Sequence, residues 1–226
     1  HGVRLAHADS WAGTGSTTIS PRAEREHREA DHLAVLATRA HGAGDEPARV
    51  VGTYRVLTPA GARLAGGLYT DGEFDLTPVA AVRDRMVELG RSCIDPDHRQ
   101  GAVIMLLWSS LGEFMHRNQL RWMIGCASVP MRDGGHTAAS LWQRLRANHL
   151  AVPALLVRPR LPLPIEHLER TLDVTPPPLI KGYLRLGAKL LGPPSWDPDF
   201  QTADLPMMVS LAELPARYRR HFLAER

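Results

Sequence analysis

A chain of 226 residues with 44% hydrophobic and 23% charged side chains can bury a sizeable core, which excludes wholesale disorder. A net charge of only +3, with no zinc-finger spacing and no aromatic–basic interleaving, argues against a nucleic-acid partner. Two cysteines, Cys93 and Cys126, build no disulfide framework, and no apolar run approaches the ~20 residues that cross a bilayer.

Residues 1–30 are polar and irregular, loop-like at Trp11–Thr18. The charged stretch Pro21–Ala30 suits a short helix. Asp31–Ala37 and Arg49–Leu57 read as the two strands of a hairpin. Pro59–Gly67 reads as a loop and Pro78–Arg85 as a short helical segment. Met86–Ile94 is a strand that turns through Asp95–Gly101 into an apolar helix, Ala102–His116. Arg121–Val129 is a strand stopped by Pro130. Thr137–Asn148 is a helix with Ala138, Leu141, Trp142 and Leu145 on one face. Pro153–Pro164 is extended and broken by prolines, and Ile165–Leu172 is a short helix. Pro176–Pro178 opens an amphipathic helix, Leu179–Leu191, closed by Gly192. Ser195–Thr202 is a loop, Leu205–Leu211 a strand and Pro215–Leu223 a last helix. This order implies an α/β (α+β) fold in a single domain over residues 1–226, with residues 176–226 as a C-terminal helix–strand–helix portion.

The strand–turn–helix from Met86 to Asn118 carries the chemistry. Backbone N–H groups and a helix N-terminus converge on its basic, glycine-containing turn and favour an anion such as a cofactor phosphate. Arg99 supplies charge there, and Gly101 and Ala102 supply close backbone; the alternative is an ordinary strand-to-helix turn. Glu88 lies inside the strand, where a carboxylate is costly to bury unless it is paired or used. It is either a proton acceptor or one half of an ion pair with Arg91 or another arginine. Arg91, three residues on, faces away from Glu88 in a regular strand and shares its face only if a bulge intervenes. Lys181, Arg185 and Lys189 recur every four residues and form one basic stripe on the predicted helix, either a docking surface for an acidic protein or anionic membrane or simply a solvated face. Asp75 suits an ammonium group or forms a turn. Cys93 and Cys126 have no triad spacing that would make either a nucleophile. Eleven histidines lack ligand spacing, so no metal is expected.

The order of elements resembles the GNAT acyltransferase fold, in which the fourth strand feeds a pyrophosphate-binding loop. Of that loop's usual glycine pattern, His98-Arg99-Gln100-Gly101-Ala102-Val103 keeps the first glycine only. A similar loss marks the branch that includes acyl-homoserine-lactone synthases. Asp31-His32-Leu33, Gly72-Glu73-Phe74-Asp75-Leu76, Glu88-Leu89-Gly90-Arg91-Ser92-Cys93, Gly125-Cys126-Ala127-Ser128, Pro177 to Gly187 and Asp199 to Asp204 are similar to the hemolysin-like acyltransferases of ornithine lipid synthesis. The resemblance implies a mixed, mostly antiparallel central sheet flanked by helices. It also implies that the strand and two helices preceding the Gly2–Leu5 segment in such relatives are missing here. A natural start upstream of His1 is expected.

The implied reaction moves a 3-hydroxyacyl chain from acyl carrier protein to the α-amine of ornithine. Glu88 and Arg91 are then catalytic, and Ser92, Cys93, Ile94, Arg99, Gly101 and Ala102 bind the phosphopantetheine donor. Asp75, Phe74 and Ser128 line the acceptor, and Lys181, Arg185 and Lys189 dock the carrier or a membrane surface. No cofactor is permanently bound; the donor is an acyl-phosphopantetheine. The expected location is cytoplasmic, with peripheral contact at the inner face of the membrane. Two other readings remain: an N-acyltransferase using acyl-CoA or acetyl-CoA or another amine acceptor, and a non-catalytic protein that binds carrier or membrane.

Overall fold

The computed structural model describes residues 2–6, 31–37, 49–99 and 101–222. The predicted helix Pro21–Ala30 lies outside the described residues. In chain order the elements are β1 (Gly2–Ala6), β2 (Asp31–Ala37), β3 (Arg49–Leu57), α1 (Pro59–Ala65), α2 (Tyr69–Glu73), β4 (Phe74–Asp75) and a 3-10 segment (Thr77–Arg85). They continue with β5 (Met86–Ile94), α3 (Ala102–Arg117), β6 (Trp122–Pro130), α4 (His136–His149) and β7 (Arg158–Pro159). The last are α5 (Pro178–Arg185), β8 (Lys189–Leu190), β9 (Ser195–Asp197), β10 (Thr202–Ser210) and α6 (Ala216–Phe222). The mixed α/β class expected from the sequence is the one observed. Gly2–Ala6 is a strand, although it falls within the stretch read as irregular.

The chain forms two compact units. The first comprises His1–Gly67, Val87–Leu120 and Ala216–Arg226. Its sheet is antiparallel in the order β1-β2-β3-β5. Val51, Tyr54, Val56 and Leu57 of β3 are buried, and so is Val87 of β5. The helix α3 buries Val103, Leu107, Trp108, Leu111, Phe114 and Met115, spaced at helical period. Gly52 of β3 lies so close under this helix that a β-carbon there would stand 2.5 Å from Val103 Cγ1. The helix closes where the Asn118 amide donates to the Phe114 carbonyl at 2.8 Å and Gln119 turns left-handed at φ +55.

The second unit comprises Leu68–Met86 and Arg121–Pro215. β10 runs antiparallel to β6 from Thr202↔Pro130 to Ser210↔Trp122. Its other edge is shared by two short strands, β9 at Thr202–Asp204 and β8 at Met207–Met208. β4 and β7 form a separate two-stranded ladder, Phe74↔Pro159 and Asp75↔Arg158. α4 buries Ala138, Ala139, Leu141, Trp142 and Leu145. It begins where Asp133 accepts hydrogen bonds from the backbone N–H groups of Gly135 and Thr137.

Several predicted elements differ, each for a local reason. The predicted loop Pro59–Gly67 contains α1. Its proline occupies the first helical turn, Thr58 Oγ1 accepts from Gly61 N at 3.2 Å, and Gly66 ends it at φ +86. Proline and glycine there are helix boundaries rather than loop formers. The predicted helix Ile165–Leu172 shrinks to one 3-10 turn, Ile165–His167, because Glu169 accepts the N–H groups of Arg170 and Thr171 with its side chain. The predicted helix Leu179–Leu191 ends at Arg185, because Gly187 turns at φ +85 and the chain proceeds into β8. The predicted loop Ser195–Thr202 starts as β9, and Pro130 lies inside β6 at its end.

Candidate functional site

Strand β5 and the turn after it place most of the predicted site residues in the first unit. Glu88 is 1% exposed, and its Oε2 lies 3.3 Å from Nη2 of Arg55, itself 5% exposed. Of the two sequence readings of Glu88, the paired one therefore has a named partner, Arg55 of β3. Pairing between β3 and β5 runs Leu57↔Glu88, Val56↔Leu89 and Arg55↔Gly90, then resumes at Thr53↔Cys93. Two residues, Arg91 and Ser92, thus stand against Tyr54 alone. Arg91 occupies the left-handed region at φ +50. This is a β-bulge, and strand alternation flips across it. Cys93 comes onto the face of Glu88. The regular-strand expectation for Arg91 does not apply, because the extra residue breaks the period.

Arg91 and Cys93 are exposed, and Ser92 and Ile94 are half-buried. Beyond them Asp95 accepts hydrogen bonds from its own turn: Asp97 N at 3.0 Å and, at 3.3 Å, a contact with His98 Nδ1. Arg99 Nε approaches the Ile94 carbonyl at 3.4 Å, and the Arg99 side chain is exposed. Gly101 precedes α3 at φ +92 with open space where a β-carbon would be. Its glycine is required by backbone conformation, not by close packing. The first turn of α3 carries no acidic residue, so the N–H groups at its start keep their attraction for an anion.

The remaining candidates lie in the second unit. Asp75 is exposed, and its Oδ1 accepts from Thr77 N at 3.0 Å and Thr77 Oγ1 at 2.6 Å, which holds its carboxyl below the usual carboxylate range. That is the turn-forming alternative. Phe74 is fully buried. Ser128, opposite Asp204 in the β6–β10 register, donates to the Asp204 carboxylate. Lys181 and Arg185 are exposed on α5, but Lys189 is half-buried in β8 and leaves their stripe. The three-residue stripe needed a helix continuing past Gly187.

Sequence reasoning missed a polar cluster around Tyr69. Its hydroxyl donates to Asp197 Oδ2 at 2.5 Å and also stands 3.2 Å from Asp204 Oδ2. Ser195 Oγ donates to Glu73 Oε2 at 3.0 Å. Carboxylate oxygens of Glu73, Asp197 and Asp204 all lie within 4.8 Å of one another, close enough to surround one cation. No spacing could reveal it, since 131 positions separate Glu73 from Asp204 (204 − 73). Burial pushes Asp204 up, helped by the charge of Asp197, against the hydrogen bonds from Ser128, Thr202 and Tyr69. Burial and the same two carboxylates push the Tyr69 hydroxyl up as well.

An acid whose folded pKa is raised binds its proton more tightly in the folded state. The stability it contributes is full below its unfolded pKa of about 3.9 and is lost as pH rises through the folded value. Asp204→Asn is therefore expected to flatten the dependence of the unfolding midpoint on pH above about 4. Denaturant melts of both proteins across pH 4–8 check this, and parallel curves would refute it.

Residues 12–109 match the family of the acetyltransferase (GNAT) domain. Over 203 residues the chain is 34% identical to an L-ornithine N(alpha)-acyltransferase of Rhodobacter capsulatus, covering 85% of this chain and 75% of that protein. It is 30% identical over 230 residues to an L-ornithine N(alpha)-acyltransferase of Rhizobium meliloti, covering 92% and 75%. Among solved structures, the loading GNATL domain of CurA from Lyngbya majuscula is similar at a TM-score of 0.43 and 12% identity, over 93% of this chain and 98% of that one.

Proposed function

The chain belongs to the L-ornithine N(alpha)-acyltransferase family and is an acyltransferase, and from that premise we propose that it acylates the α-amine of ornithine. The donor is a 3-hydroxyacyl thioester on the phosphopantetheine arm of acyl carrier protein. The amine nitrogen attacks the thioester carbonyl, a C–N bond forms, the C–S bond breaks, and the pantetheine thiol leaves. Ornithine's amine is mostly protonated near neutral pH, so a base must accept a proton. The ammonium first gives one proton to solvent; as the C–N bond forms Glu88 takes a second from the nitrogen, directly or through one water, and passes it to the departing thiolate.

The observation that carries this reading is a carboxylate 1% exposed in β5, three residues before the bulge residue Arg91 and ahead of an anion-favouring helix N-terminus. A backbone N–H in Ser92–Ile94 stabilises the oxyanion of the tetrahedral intermediate. Arg99, Gly101 and Ala102 receive the pantetheine phosphate at the start of α3. Arg91 binds either the acceptor carboxylate or the donor's prosthetic group. Lys181 and Arg185, exposed on α5, provide positive charge for an acidic carrier or an anionic membrane surface. Among the described residues no helix is long and apolar enough to cross a membrane.

The test is an amine-acylation assay with mass detection of the amide. Long-chain 3-hydroxyacyl carrier protein, acyl-CoA and acetyl-CoA are offered as donors against a panel of free amino acids. The expected product is hydroxyacyl-ornithine from the carrier-bound donor. An amide made equally well from acetyl-CoA, or on another amine, would replace donor or acceptor. No product from any donor, with carrier still bound, would favour a binding protein without catalysis.

A further inference from the structure

Arg55 of β3 stands directly opposite Gly90 of β5, and Gly90 shares a face with Glu88 by strand alternation. A β-carbon at Gly90 would lie 2.8 Å from Arg55 Nη2 and 3.3 Å from both Cζ and Nε. The guanidinium therefore lies across the Gly90 backbone, in the volume a larger residue would fill, with Nη2 3.3 Å from Glu88 Oε2. Immediately after Gly90 comes the bulge residue Arg91. The seat of the arginine, the buried carboxylate and the break in the strand thus occupy four consecutive positions of β5.

We propose that Arg55 is a positioning residue for acyl transfer: seated over Gly90, its guanidinium fixes the place of the Glu88 carboxylate in β5. The inference rests on the reading of Glu88 as the proton acceptor. A glutamate side chain has three rotatable bonds, and a base that wanders by an ångström loses much of its advantage. A planar guanidinium presents donors in a rigid fork, which a lysine ammonium does not reproduce. A carboxylate withdrawn from water also needs a countercharge to remain ionised and able to accept a proton. Any side chain at Gly90 would displace the guanidinium.

The experiment measures kcat and ornithine KM separately for Arg55→Met, Arg55→Lys and Gly90→Ala. Each is made in the natural chain and on a Glu88→Gln background, with 3-hydroxyacyl carrier protein as donor. Arg55→Met is expected to lower kcat by about 100-fold with ornithine KM nearly unchanged, and Gly90→Ala to do the same in smaller measure. Arg55→Lys should restore part of the loss. On the Glu88→Gln background the same substitutions should cost little more, because there is no base left to position. Losses that simply multiply on that background, or an effect confined to KM, would overturn the proposal. A Glu88→Gln protein with natural kcat would instead overturn the base assignment beneath it, a separate result. Where Arg55→Met yields no folded protein, Arg55→Lys and Gly90→Ala keep the charge and decide the question.

Discussion

Glu88→Gln is expected to lower kcat by about 100- to 10,000-fold, the range by which a positioned general base accelerates a proton transfer. Glutamine keeps the side-chain shape and an oxygen for Arg55, so the geometry of β5 survives while the proton acceptor is lost. Binding of the carrier-bound donor should persist, because its phosphate is assigned to the turn and helix start at Arg99–Ala102 and not to Glu88. Steady-state kinetics with a parallel carrier-binding measurement separate the two effects. The variant removes the charge of the carboxylate that stands 3.3 Å from the buried Arg55 guanidinium, so its unfolding midpoint must be recorded beside its activity. A folded variant with natural turnover would reduce Glu88 to half of an ion pair that holds β3 to β5.

The second large effect concerns Phe74, assigned to the acceptor side by resemblance and fully buried in β4 opposite Pro159. Phe74→Ala removes a whole ring from a packed interior and should cost about 3–5 kcal/mol of stability. For a chain of this size that is a fall in melting temperature on the order of 10 °C. Denaturant unfolding at constant m-value measures it. An unchanged midpoint with a raised KM for ornithine would show instead that the ring touches the acceptor. The conservative Phe74→Leu loses less volume and should recover most of the stability, whichever role the ring has.

Elements with a strong local signal were readable in advance. β5 and α3 were placed within about a residue, because an apolar strand, a polar turn and an apolar helix follow one another without ambiguity. The ends of elements were less readable where proline and glycine have two uses. Pro59 and Gly66 bound a helix where a loop was expected, and Gly187 ends one where a longer helix was expected. Lys189 lost its place beside Lys181 and Arg185 for that reason.

By itself, then, the sequence determined the acyltransferase family, through patches spread from Asp31 to Asp204, and the strand–turn–helix on which the candidate chemistry sits. It also singled out Glu88, because a carboxylate inside an apolar run is conspicuous without any structure. Only the tertiary structure decided what stands against that carboxylate. Arg55 is 33 positions away, and nothing local pairs it with Glu88 until β3 and β5 come into register. The same register decided that Arg91 sits in a bulge, since a two-against-one mismatch exists only between two strands. The Tyr69–Asp197–Asp204 cluster has the same origin: its members become neighbours when α2, β9 and β10 pack, and periodicity along the chain records only neighbours along the chain.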